Sequence, residues 1–293
     1  MDWKSQRIIA FDTETTGLTP HDGDRIIEFA AVEIILDQGG SVINTKKHEM
    51  FVNPGIPIPS EVVKLTGIDD DTVAKAPPFD RVADRVAKLL DGSICIAHNF
   101  AFDQNFIAME FNRLGRHWPD TLAEIDTLDL SIRYFPNERG HKLALFCERL
   151  GVSLDGAHRA ANDAEATGKA FAALAKRLNA PNELDEMLEW SGGLGRPPTS
   201  PWIHKNKLGA LVFTSGELED QLVEDHPSHL QWMLIAKERS ANGWRELYPE
   251  SLRRWISQFL KNRASGRTKP PTKSFGPTDW TIDSNSLPIE TTG

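Results

Sequence analysis

Residues 7–17 read Arg7-Ile8-Ile9-Ala10-Phe11-Asp12-Thr13-Glu14-Thr15-Thr16-Gly17. The unbroken apolar run from Ile8 to Phe11 marks a central strand buried on both faces, and the strand period of two puts Asp12 and Glu14 on the same face at its end. Two carboxylates in that position repel one another in a low dielectric. They either sit at a solvated strand end, carry a raised pKa, or bind a cation. Thr15-Thr16-Gly17 then ends the strand in a turn whose amides and hydroxyls can contact a ligand.

Working outward, residues 26–36 and 41–52 read as two more strands, rich in Ile and Val, with Gly39-Gly40 as the turn between them. The short connections predict an antiparallel meander. Residues 59–65 and 79–90 then carry apolar side chains at helical spacing, 93–97 is a short apolar strand, and 102–114 a helix. Residues 123–126 form a brief strand and 143–150 and 161–178 two further helices. An antiparallel start followed by helical crossovers predicts an α/β domain, its mixed sheet flanked by helices on its faces.

The composition is that of a soluble globular protein. No stretch approaches the ~18 uninterrupted apolar residues of a membrane span, and no signal peptide fits the start, so a cytoplasmic protein with no membrane partner is expected. Cys95 and Cys147 are the only cysteines, without the Cys/His clustering of a zinc site. The net charge is −9, yet residues 252–273 hold seven basic side chains (Arg253, Arg254, Lys261, Arg263, Arg267, Lys269, Lys273) and no acid. Three acids follow, which leaves residues 1–251 at −13. The body is acidic and the end basic, and the basic block is a candidate phosphate-binding element or a solvated tail.

Two further constellations stand out. His98-Asn99-Phe100-Ala101-Phe102-Asp103 lies where a buried strand passes into a helix, so that Asp103 falls in the helix's first turn, a position an acid also occupies simply to complement the helix dipole. His98 and Asn99 are candidate ligand contacts from the loop, or structural residues. His158-Arg159-Ala160-Ala161-Asn162-Asp163 enters the helix predicted over 161–178. Five helical residues would set His158 about 140° away from Asp163, so the two meet only if His158 lies in the loop before the helix and Asp163 faces inward. A histidine beside carboxylates titrates in the range needed to take a proton from water.

Together the three segments (FDTETTGL around Asp12, AHNFAFD ending at Asp103, and HRAANDA around Asp163) resemble, in order and spacing, the histidine-bearing branch of the DEDD exonuclease superfamily. Within it the chain is similar to the proofreading subunits of bacterial replicative DNA polymerases, over roughly residues 6–178. The resemblance implies a ribonuclease H-like mixed five-stranded sheet and two Mg²⁺ or Mn²⁺ ions held by Asp12, Glu14, Asp103 and Asp163. It also implies that His158 is the general base that activates water. Hard cations of this kind take oxygen ligands and organise phosphodiester hydrolysis. Substrate contacts are expected from Glu14, Thr15, His98 and Asn99, and from Glu61, Leu65 and Thr66, which resemble the family's loop against the terminal nucleotide. That loop typically carries histidine where this chain has Thr66.

The implied activity is removal of nucleoside 5′-monophosphates from single-stranded or frayed DNA 3′ ends, in a polymerase or repair complex. RNA 3′ ends, or a non-catalytic nucleic-acid-binding module of the same fold, are the alternatives, and a phosphatase lacks a motif of its own. The expected domains are an exonuclease domain over 1–180, a Gly/Pro-rich linker over 181–203, a small mainly helical C-terminal module over 204–262 and a disordered tail over 263–293.

Overall fold

The computed structural model describes residues 1–192, 202–205, 210–214, 216–240, 243–248 and 250–264. Strand β1 (Ile8–Thr15) lies at the centre of a five-stranded sheet. β2 (Ile26–Leu36) and β3 (Val42–Phe51) follow it antiparallel, as short turns allow. β4 (Ile94–Ala97) and β5 (Ala123–Asp126) pair parallel on its other side, giving the order β3-β2-β1-β4-β5. This is the mixed, ribonuclease H-like sheet the sequence predicts.

Strand alternation sorts the core into two layers. Ile9 and Phe11 face one way, onto α3 (Phe79–Leu90) and α4 (Phe100–Arg113). Ile8 and Ala10 face the other, onto α6 (Leu143–Leu150) and α7 (Ala160–Arg177). The sheet-facing side of α7 is small, with Ala160, Ala161, Ala164 and Gly168 buried or in close contact. A Cβ on Gly168 would stand 2.5 Å from Ile34 Cδ1 and 3.0 Å from Ala10 Cβ, so this glycine sets how near α7 comes to β1 and β2. The buried edge of α1 (Ser60–Thr66) and α2 (Asp70–Val73) closes a smaller cluster around Ile27.

Three helices escaped the sequence reading, the four-residue α2 and two longer ones. α5 (Thr127–Tyr134) is only eight residues long and begins directly at Asp126, whose carboxylate accepts from Leu128 N at 2.9 Å. α8 (Leu184–Ser191) falls within the stretch read as linker; it is corrected to part of the unit built on the five-stranded sheet, because Leu184, Met187 and Leu188 enter the same core as Trp3 and Phe171. Composition marks the Gly/Pro run beyond Ser191, not the helix before it.

The C-terminal region has its own core around Phe213, Leu230, Met233, Leu252 and Trp255. Helices α9 (Pro227–Ile235) and α10 (Glu250–Ala264) dominate it, joined by two short hairpins that the sequence reading did not place: β6 (Ile203–Lys205) with β7 (Leu211–Phe213), and β8 (Lys237–Ser240) with β9 (Gly243–Glu246). The tail expected over 263–293 lies outside the described residues from 265 onward. No described helix is long and apolar enough to cross a membrane.

Candidate active site

In β1 the two residues that break the buried pattern are Asp12 and Glu14, both on the α7 side. Asp163 comes from the first turn of α7, and one ligand atom from each of the three carboxylates lies within 4.8 Å of the other two. His158 sits in the loop before the helix with a left-handed backbone (φ 65°), and its backbone N–H donates to Asp163 Oδ2 at 2.9 Å. Its imidazole is exposed. The turn that puts it there needs Gly156, also left-handed at φ 67°, whose carbonyl accepts from Asn162 Nδ2 at 3.0 Å.

Asp103 approaches from the opposite layer. Thr13 alternates onto that side, and its backbone N–H and hydroxyl both donate to Asp103 Oδ1, at 2.8 and 2.7 Å. The fourth acid is therefore bonded to the strand between Asp12 and Glu14, just outside the three-carboxylate group.

The electrostatics of the four are alike. Burial, then the neighbouring charges of Asp103, Glu14 and Asp163, hold the Asp12 carboxyl well above the usual range. Burial and the charges of Asp163, Glu28 and Asp103 push Glu14 up to about 8. Burial lifts Asp103 to about 7 against the bonds from Thr13, and lifts Asp163 against the His158 amide. These acids resist ionising chiefly because burial strips them of water, and the charges around them are mostly of the same sign. The cation that acts on Glu14, Arg159, is committed elsewhere: it donates to Glu28 at 2.9 and 3.3 Å. A group of hard oxygen donors left short of positive charge is the donor set a divalent cation takes.

Glu28 is a site residue the sequence reading missed. It pairs directly across from Glu14 on β2, is 1% exposed, and accepts from Arg159 and from Ala160 N at 3.1 Å. It thereby fastens the N-terminus of α7, and with it His158 and Asp163, to the sheet. The available signal was an acid inside the apolar run Ile26-Ile27-Glu28-Phe29-Ala30, with an arginine one residue after His158. Asp126 was missed too. It accepts from Asn99 N at 3.0 Å and Phe100 N at 3.1 Å, fixing the start of α4 and so Asp103.

The expected substrate contacts fare differently. His98 does not offer a free ring: Nδ1 is bonded to Thr127 Oγ1 at 2.9 Å and Nε2 to the His141 carbonyl at 2.8 Å, so it holds protein to protein. Asn99 adopts φ 66° at the start of α4. Thr15 is nearly buried and its hydroxyl donates to Gly17 O at 2.6 Å. Thr66 is likewise turned inward, donating to Val62 O at 2.9 Å and accepting from Ile68 N at 3.1 Å. Leu65 and Glu61 project outward from α1, and among the described residues no hydrogen bond or ion pair joins them to the acids.

Residues 9–171, more than half of the chain, match the RNase_T exonuclease family model. The chain is 39% identical over 173 residues to the 3′-5′ exonuclease DinG of Bacillus subtilis, covering 59% of this chain and 18% of DinG. It is 38% identical over 160 residues to the PolC-type DNA polymerase III of Bacillus cereus, covering 55% of this chain and 11% of that protein. It thus spans less than a fifth of either relative. Among solved structures, the nuclease domain of 3′hExo, a DEDDh family member bound to rAMP, superposes with a TM-score of 0.51 at 21% identity, over 60% of this chain and 95% of that one. That likeness shows the fold. With the carboxylates gathered at the end of β1 and the family match spanning all of them, the chain belongs to the exonuclease family.

Proposed function

We propose that the chain is a 3′→5′ exonuclease that hydrolyses the terminal phosphodiester of DNA, single-stranded or frayed, and releases nucleoside 5′-monophosphates. The observation that carries this reading is the convergence of Asp12, Glu14 and Asp163 within 4.8 Å, unneutralised and beside Asp103. These four residues would hold two Mg²⁺ or Mn²⁺ ions, which when bound supply charge neutralisation at the phosphate and acidify water. His158, exposed on its loop and tied by its amide to Asp163, serves as the base that accepts the proton water gives up as it attacks phosphorus. Glu28, Arg159 and Asp126 act through these groups as positioning residues. Glu14, Thr15, Asn99, Glu61 and Leu65 remain the proposed contacts to the terminal nucleotide, with Thr15 and Asn99 offering backbone geometry more than free side chains.

DNA is favoured by the PolC-type relative, and a polymerase or repair complex in the cytoplasm is the proposed setting. RNA is the second reading, favoured by the similarity to a domain bound to rAMP. A time course on 5′-labelled single-stranded DNA and matched RNA, with Mg²⁺, Mn²⁺ or chelator, tests both. A descending ladder that vanishes with chelator is expected, faster on DNA. Internal cuts, or equal activity in chelator, would overturn the reading.

A further inference from the structure

A polyanion brought to four unneutralised carboxylates needs cations nearby to hold it. The basic stretch beginning at Arg253 supplies few. Arg253 Nε donates to Tyr248 O at 3.1 Å, Arg254 is bonded to Asp185, and Arg263 to the Glu224 carbonyl. Three of the four described cations there are engaged inside the protein.

Another group lies beside the acids. Leaving α5, the chain turns through residues 135–142 into α6, and exposes Arg133, Arg139 and Lys142 with Glu138 as the one acid between residues 130 and 142. Among the described residues none of the three forms an ion pair. Their loop is nonetheless firmly built. Arg149 donates to the carbonyls of Arg139 (3.1 Å) and Gly140 (2.8 Å), and its guanidinium lies over the Phe135 ring. His141 Nδ1 is bonded to Ser131 Oγ at 2.9 Å, and the His141 carbonyl to His98.

That last bond locates the loop. β4 runs parallel to β1 with Ile96 beside Ala10. His98 directly follows the end of β4, at the same end of the sheet as Asp12 and Glu14 on the parallel neighbour β1, and its ring lies 6.1 Å from that of Phe146 in the α6–α7 layer. The bond from His98 to the His141 carbonyl therefore holds this loop at the carboxylate end of the sheet, in the layer that Asp12 and Glu14 face, while the His158 loop approaches from α7.

We propose that Arg139 and Lys142 form a phosphate-contacting wall along which the backbone of the nucleic-acid strand runs to the carboxylates, a reading that rests on the proposed nuclease activity of that site. Contacts to phosphate hold any sequence alike and weaken with salt, because binding releases counterions. The loop thus supplies grip without base preference, and His98 serves the site by holding this loop.

The test is the double variant Arg139→Ala/Lys142→Ala against wild type, on a 5′-labelled oligothymidylate across a salt series. A second double variant, Arg81→Ala/Arg85→Ala, removes the same charge from exposed positions on α3 in the opposite layer. The loop variant is expected to raise KM about tenfold with kcat within about twofold. It should flatten the slope of log affinity against log salt by about 1.4, at ~0.7 per lost contact to a single strand. Fluorescence-anisotropy binding of the same oligonucleotide should weaken in parallel. An unchanged affinity and slope, or an equal change in the α3 variant, overturns the wall. If wild type binds but does not hydrolyse, the nuclease reading fails instead, and anisotropy alone decides the wall.

Discussion

Two sets of buried acids lie within a few residues of each other around the sheet, and they have opposite fates. Glu28 and Glu110, 1–2% exposed, each meet an arginine through two bonds: Glu28 with Arg159, and Glu110 with Arg25 at 2.6 and 2.9 Å. Asp12, Glu14, Asp103 and Asp163 have no such partner, and their carboxyls are pushed up by burial. The paired acids brace the loops and helix that surround the site. The unpaired ones store electrostatic repulsion that a cation relieves. The difference teaches that burial alone does not single out a candidate site carboxylate; burial without a neutralising partner does.

Removing an unpaired acid should separate the two roles most sharply. Asp12→Asn is expected to lower hydrolysis by about 10³-fold. The same variant should raise the denaturation midpoint of the cation-free protein, since it deletes repulsion. A variant that lost stability and activity together would erase the distinction.

Breaking a paired acid should do the reverse. Glu28→Gln leaves Arg159 without its countercharge and is expected to destabilise the fold by about 2–3 kcal/mol, less than for a pair buried on both sides because the Arg159 side chain is 43% exposed. Activity should fall by about tenfold through misplacement of His158 and Asp163. Urea melts with and without Mg²⁺, beside steady-state rates, give both readings.

Next in size is Gly168→Ala. The new methyl would press on Ile34 and Ala10, and overpacking of this kind costs about 1–3 kcal/mol. It also lifts α7 from β1, so the apparent affinity for Mn²⁺ should weaken while the exposed loops are unaffected, which a metal titration of activity would report.

The pH dependence has a definite sign. Glu14 ionises near its ordinary 4.5 in the unfolded chain but at about 8 when folded, and Asp103 at about 7. Between those values the folded state binds more protons, so the stability these groups contribute is fully present below about pH 4 and is lost as pH rises through 7 to 8. Cation-free protein should melt earlier at about pH 8.5 than at about pH 5.5, and saturating Mg²⁺ should remove the difference. Glu165 runs the other way: burial raises it, but bonds from Lys169, Lys47 and Thr45 bring it to about 2, so its contribution fades only as pH falls toward that value.

Much of this was legible without coordinates. The apolar run before Asp12 specified the central strand, and the period of two specified that Asp12 and Glu14 share a face, because both follow from local backbone geometry. The loop position of His158 followed from helical spacing, as the condition for its meeting Asp163. Short elements were less legible: α5 is eight residues long, and the two C-terminal hairpins have strands of three or four residues, too short for a periodic signal.

What only the tertiary structure decided is pairing. Whether an acid meets a cation depends on residues 85 positions away for Glu110 and Arg25, or 131 for Glu28 and Arg159, brought together by the sheet and its crossovers. The same holds for His98, whose ring looked available in a loop and is in fact bonded to residues 29 and 43 positions on. By itself the sequence determined which side chains are offered at the end of β1 and on which face. The fold decided which of them stay unneutralised, because Coulomb energy depends on distance through space and on exclusion of water, and neither is a property of spacing along the chain.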